Sequence, residues 1–219
     1  MRTILYRTAF LIIAASIFTS CKKGAEQSPL INNLPQIVSA HIPSKILDTL
    51  TKYGTVINKG LSPPNITGNF LVHPLICFYD NSGDYKAGGV YSDYTYTFTN
   101  QNNNNFTVQV NSNHPVSFFP TTSPNMYISG SGSSFTVFEE YTGSFTTPGN
   151  SATPSYTVTD TAIYVGSGKL GNFGINNFQV TEYFYSQSVN PLTNEKFSYP
   201  PAITIFYDGD GYSDQYYHD

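Results

Sequence analysis

The densest run of metal-capable oxygens in the sequence is Asp208-Gly209-Asp210-Gly211-Tyr212-Ser213-Asp214. Calcium loops of the form D-x-D-x-D-G-x-x-D present oxygens at alternate positions and use glycine for the sharp turn. In that frame Asp208, Asp210, Gly211 and Asp214 fall on pattern positions, while Phe206 takes the place of the first aspartate. Tyr217 stands where an EF-hand would carry its bidentate glutamate. Ca²⁺ takes roughly six to eight oxygens, so three carboxylates would leave the rest to backbone or water. The same residues also read as turn chemistry, because Asp-Gly pairs accept positive φ at little cost. Asp80-Asn81-Ser82-Gly83-Asp84 repeats the theme of a polar turn after a strand.

Catalytic constellations are harder to assemble. The histidines His41, His73, His114 and His218 show no metal-pair spacing, and no Cys-x-x-Cys occurs. Cys77 lies inside the apolar run Leu75-Ile76-Cys77-Phe78 and reads as a small buried hydrophobe. His73 is four residues away, which on an unbroken strand means the same face but about 13 Å of separation. Glu139 and Glu140 are adjacent, so a strand sends them to opposite faces; only a third carboxylate, such as Glu182, would complete an acid–base pair. No nucleophile elbow or phosphate-binding glycine loop is present. The expectation is a protein that is not an enzyme. With 10 Lys+Arg against 14 Asp+Glu, nucleic acid is not an expected partner.

The aromatic content is unusual: 18 Tyr and 16 Phe with no Trp, in a chain with only 11% charged residues. Tyr91, Tyr94, Tyr96, Tyr183 and Tyr185 are candidates for a ligand face, since tyrosine combines flat apolar area with a hydroxyl suited to sugars or small apolar molecules. The bland reading is cross-strand and core packing. Asp48-Thr49-Leu50 and Asp160-Thr161-Ala162 resemble the short sites on which Bacteroidota exoproteins are O-glycosylated, which makes Thr49 and Thr161 candidate acceptors.

Residues 1–20 read as a signal peptide, with Arg2 and Arg7 ahead of an apolar run from Ala9 to Phe18 that is too short to span a bilayer. Phe18-Thr19-Ser20-Cys21 resembles a bacterial lipobox, with Phe18 where Leu is commonest. That resemblance implies acylation of Cys21 and a membrane anchor of several chains. Loss of Arg2 and Arg7 takes the basic count from 10 to 8 against 14 acids, a net charge of −6. Lys22-Lys23 follow the cysteine, where surface-exported relatives would carry acids. The expected location is therefore the outer membrane facing the periplasm, with surface exposure as the alternative.

Residues 21–36 read as the lipidated cysteine and a flexible tether, and residues 37–219 as one β-rich domain. A helix is expected near 43–53, where Ile46, Leu47, Leu50 and Tyr53 recur at helical spacing between Pro43 and Gly54. It would lie on the sheet or plug one end of a barrel. Strands are expected near 66–79, 91–99, 105–111, 115–119, 125–129, 134–140, 155–165, 172–185 and 202–207, with clear alternation in Tyr94-Thr95-Tyr96-Thr97-Phe98-Thr99. Regularly spaced antiparallel strands leave a single closed β-barrel or a two-sheet sandwich, and the barrel is preferred. Gly68-Asn69-Phe70 after a short helix resembles the Gly-x-aromatic opening of lipocalin-like barrels, with Phe70 in place of Trp. Pro63-Pro64, Phe135-Thr136-Val137-Phe138, Gly174-Ile175-Asn176-Asn177-Phe178 and Asp208-Gly209-Asp210-Gly211 are similar to segments of secreted Bacteroidota lipoproteins, a resemblance that implies no activity.

Two functions are consistent with these residues. One is a non-enzymatic, envelope-anchored protein that binds a small molecule or glycan in a barrel mouth or on a tyrosine-rich face. The other is a structural or interaction subunit of an envelope assembly, with a Ca²⁺-stabilised module as a variant.

Overall fold

A computed structural model describes residues 30–31, 33–113, 122–147, 156–187 and 201–216. The segment read as a signal peptide, Cys21, most of the expected tether and the strand expected at 115–119 lie outside the described residues. Chain order begins with β1 (Leu30–Ile31), β2 (Leu34–Pro35), α1 (Gln36–His41), α2 (Ser44–Tyr53), β3 (Leu61–Ser62), β4 (Gly68–Val72), β5 (Leu75–Asp80) and β6 (Val90–Tyr91). It continues with β7 (Tyr94–Asn102), β8 (Thr107–Ser112), β9 (Thr122–Ser131), β10 (Ser134–Thr147), β11 (Tyr156–Leu170), β12 (Gly174–Gln187), β13 (Ala202–Asp208) and β14 (Tyr212–Gln215).

The strands close on themselves. β4 pairs β7, and the path runs through β8, β9, β10, β11 and β12 to β14, which pairs β4 again; every pairing is antiparallel. The result is the expected closed antiparallel barrel, built of eight strands, and not the sandwich. The remaining strands extend three of its walls. β5 continues β4 past His73-Pro74, β6 precedes β7 across Ser92-Asp93, and β13 precedes β14 across Gly209–Gly211. Because β12 pairs β13, β13 pairs β5 and β5 pairs β6, the three interruptions sit side by side on neighbouring walls. Read through the breaks, the barrel is a simple up-and-down meander in which sequence neighbours are spatial neighbours.

Alternation sets which residues face inward. β7 alternates buried Tyr94, Tyr96 and Phe98 with partly exposed Thr95 and Thr97. Phe178 lies at the centre of the lower interior, with ring centroids 5.1 Å from Tyr96, 6.4 Å from Phe98 and 6.5 Å from Phe135. β11 makes room for it with two glycines. A Cβ on Gly168 would come within 2.4 Å of Ile175, and one on Gly166 within 3.0 Å of Val137. Buried Ile66 and Phe106 complete this floor. The segment leading into β4 is tied beneath it: Gln101 accepts from the Ile66 amide at 2.8 Å and donates to the Pro64 carbonyl at 2.7 Å.

β13 is buried on both faces, because helices cover its outside. Leu34, Val38, Ile42 and Leu50 pack on Phe138, Ile163, Val165, Tyr183, Ile203 and Ile205. The expected helix near 43–53 is α2. It starts after Pro43 and ends where Gly54 adopts a left-handed conformation at φ 105°. It lies against the barrel wall and does not plug an end. Two features correct the sequence reading: α1 is an additional helix, and buried Leu34 brings the packed domain into the segment assigned to the tether.

After α2, residues 54–60 cross the outer wall as a strap. Beneath it runs a row of polar residues in cross-strand register, Ser129, Thr136, Ser167 and Gln179. The Asn58 amide donates to Thr136 at 2.7 Å, Ser129 donates to the Asn58 carbonyl at 2.6 Å, and the Val56 amide donates to Gln179 at 2.8 Å. A strap without strand pairing along its length thereby satisfies its backbone with side chains. Among the described residues no helix is long and apolar enough to cross a membrane.

Candidate functional site

Register places a polar row inside the barrel. Glu139 is opposite Tyr164, Tyr164 opposite Glu182, Glu182 opposite Thr204, and Thr204 opposite Asp80. The row one level below is Val137, Gly166, Val180, Phe206 and Cys77. The interior therefore changes from aromatic and aliphatic to phenolic and carboxylic over a single step of the pleat.

Glu182 is the centre of the row. It is only 6% exposed, and burial pushes its carboxyl up to about 8, so it is held protonated at neutral pH. Tyr85, Tyr94, Tyr96 and Tyr164 all lie close enough to feel its charge. Burial first and that charge second push Tyr94 up to about 12. The Tyr96 and Tyr164 phenols meet across the interior, and burial raises both well above the ordinary range. Tyr85 enters from the loop between β5 and β6. Its ring stands edge-on to Tyr91 at 5.2 Å and to Phe206 at 4.9 Å, and burial pushes its phenol up to about 12.

Asp80 fixes that loop. Its carboxylate accepts from Thr204 Oγ1 at 2.6 Å, Ser82 Oγ at 2.7 Å and the Gly83 amide at 2.8 Å. Burial works against its charge, but these bonds prevail and hold it below the ordinary carboxylate range. The polar turn expected at Asp80–Asp84 is thus a device for positioning Tyr85.

The five candidate tyrosines do not form one face. Tyr94 and Tyr96 are buried inside, and Tyr91 joins them with its hydroxyl accepting from the Lys86 amide at 2.8 Å. Tyr183 and Tyr185 belong to the outer wall, stacked at 6.0 Å, with Tyr183 beneath the helices and the Tyr185 hydroxyl donating to Glu140. Glu139 and Glu140 take opposite faces as expected. Glu139 and Glu182 do share a row, but Tyr164 stands between them, where a hydrolytic pair would need open space for a water or a sugar oxygen.

The remaining candidates are also placed. His73 and Cys77 do not share a face, because the chain breaks at His73-Pro74. His73 is exposed and paired with Asp93 at 2.5 Å, while Cys77 is buried and burial pushes its thiol up. Of the three aspartates of the suggested calcium loop, Asp208 and Asp210 lie close together and Asp214 lies apart from them. Asp208 is buried at the inner side of the break, Asp210 caps the turn by accepting from the Tyr212 amide at 2.8 Å, and Asp214 is exposed on β14. Among the described residues no three His, Cys, Asp or Glu side chains form a metal-holding group. Thr49 donates to the Lys45 carbonyl within α2, and Thr161 meets Thr142 at 3.4 Å; both are partly exposed.

The described residues of this interior present hydroxyls and a carboxyl held protonated, able to donate and accept, above an apolar floor. No family model, no curated protein and no solved structure matches this chain.

Proposed function

We propose that this protein is a non-enzymatic binding protein of the bacterial envelope, lipid-anchored at Cys21 in the outer membrane and facing the periplasm. Its ligand is a small amphipathic molecule, with its neutral hydrogen-bonding head on Glu182 and the inner tyrosines and its apolar part along the barrel wall. The observation that carries this reading is the position of the Glu139–Tyr164–Glu182–Thr204–Asp80 row. At the opposite end the strands are joined by the tight connections 103–106, 132–133 and 171–173. At the row's end lies the described nine-residue connection 81–89, which carries Tyr85 into the interior. Eight strands enclose an interior that side chains fill or that holds one small ligand, and binding residues concentrate where long loops meet a rigid scaffold.

The test is a set of thermal melts of the protein with neutral amphiphiles and, separately, with oligosaccharides. A ligand that binds only the folded state raises stability in proportion to the logarithm of its concentration. Amphiphiles are expected to raise the melting temperature by several degrees, and Tyr94→Phe is expected to reduce the rise. Stabilisation by oligosaccharides alone, or by nothing in either set, would overturn the reading.

One observation favours the second function, a subunit of an envelope assembly. Phe78 is 54% exposed and touches the Tyr207 ring, Tyr207 lies opposite Ile76, and Ile76 lies opposite exposed Val90. This apolar strip on the outer wall suits a protein partner.

A further inference from the structure

The turn between β13 and β14 contains an unbalanced pair of acids. Asp208 is 2% exposed. Its Oδ2 accepts from Ser213 Oγ at 2.6 Å, while Oδ1 is buried without a hydrogen-bond partner. The carboxyl of Asp210 lies within hydrogen-bonding reach of the same carboxyl, and the His73 amide also faces it. Two ionised carboxylates are both acceptors and cannot satisfy each other. The contact needs either one shared proton or a cation between them.

We propose that the Asp208-Gly209-Asp210 turn binds a calcium ion between its two carboxylates. The Asp208 oxygen that lacks a donor is the inner ligand, and Asp210 supplies the outer one from the solvent side. Backbone carbonyls of the turn and water complete the oxygen shell, as Ca²⁺ tolerates. Asp214, which the sequence pattern included, takes no part. The site lies at the shared interruption of three walls, beside His73-Pro74 on one neighbour; the Gly209 amide already donates to the Pro74 carbonyl at 2.7 Å. A bound cation would fix the β13–β14 turn at the point where it hydrogen-bonds to the β4–β5 wall. With only two carboxylates, affinity falls in the range of about 10⁻⁴–10⁻³ M typical of extracellular calcium modules.

The test uses the whole protein, melted in EDTA, in 10 mM Mg²⁺ and in 10 mM Ca²⁺, with tyrosine-sensitised Tb³⁺ emission as an independent readout. Ca²⁺ is expected to raise the melting temperature by about 3 °C, and Ca²⁺ is expected to displace Tb³⁺ saturably. Asp210→Asn keeps the turn-capping acceptor, replaces one carboxylate of the pair with a donor and should melt at or above the parent in EDTA, yet lose both the Ca²⁺ shift and the Tb³⁺ signal. Asp208→Asn should do the same, and if it fails to fold, Asp210→Asn decides alone. Melting that is identical in EDTA and Ca²⁺ with no saturable Tb³⁺ emission would overturn the proposal in favour of a shared proton. A Ca²⁺ response that survives in Asp210→Asn would overturn this location.

Discussion

Replacing Glu182 with glutamine is expected to flatten the fall in stability between about pH 4.5 and 8. In the unfolded chain this carboxyl ionises near its ordinary value of 4.5, whereas in the barrel burial holds the proton up to about 8. Between those values the folded state carries one more proton than the unfolded state, so stability declines as pH rises. The contribution is complete below the unfolded value and is lost as pH passes through the folded one. The decline approaches about 1.4 kcal/mol per pH unit across the window and levels off above it, where both states are ionised. Glutamine keeps the shape and a donor but cannot ionise. Urea midpoints at pH 5 and pH 8 measure the effect: the parent should lose stability between them, and Glu182→Gln should lose much less. Parallel profiles would mean that Glu182 is not held neutral by the barrel.

Phe178→Ala is the second large effect, about 3–5 kcal/mol of lost stability. Phe178 is packed edge-on or tilted against Tyr96, Phe98 and Phe135 and is seated over Gly166 and Gly168. The aromatic floor cannot close over the space it leaves without moving three walls. Phe173 is the control. It is 76% exposed in the turn before β12, and Phe173→Ala should change stability by no more than about 0.5 kcal/mol. Urea unfolding with an unchanged slope reads both substitutions. Equal losses from the two would show that the interior is not packed around Phe178.

The elements that the sequence made legible are those with a local signal. The Tyr94–Phe98 alternation marks one buried and one wet face, and Pro43 with Gly54 brackets α2. Helix α1 has six residues, of which only Val38 is buried, so no period can develop. β13 hides its inward set because Ile203 and Ile205 are covered by helices while Thr204 and Phe206 face the interior. The tyrosines show why a site is harder to read than a fold. Tyr91 and Tyr94 are three residues apart, which an unbroken strand would send to opposite faces; the interruption at Ser92-Asp93 turns both inward. Tyr183 and Tyr185 look equivalent to Tyr94 and Tyr96 in sequence, yet their register puts them outside. Glu182, Tyr164, Thr204 and Asp80 meet only through strand pairings that link distant parts of the chain, and a slip of one residue would reverse every assignment. Of that row, sequence reasoning singled out Glu182 as a conceivable partner for Glu139 and missed Tyr164 and Thr204. Tyr85 carried no signal beyond its place in a polar turn.

The central claim is that the interior beside Glu182, and not the outer wall, receives a ligand. The most direct measurement is a fluorescence titration with N-phenyl-1-naphthylamine, a small apolar amine that brightens on leaving water. It should be run on the parent, on Ala202→Trp and on Tyr185→Ala. Ala202 is a buried residue on β13, two positions above Thr204 on the inward face, so tryptophan there obstructs the mouth. Tyr185 lies on the outer wall. The expected result is one saturable site in the parent, retained in Tyr185→Ala and lost in Ala202→Trp with its circular dichroism unchanged. No saturable site in the parent, or equal binding by Ala202→Trp, would contradict the claim.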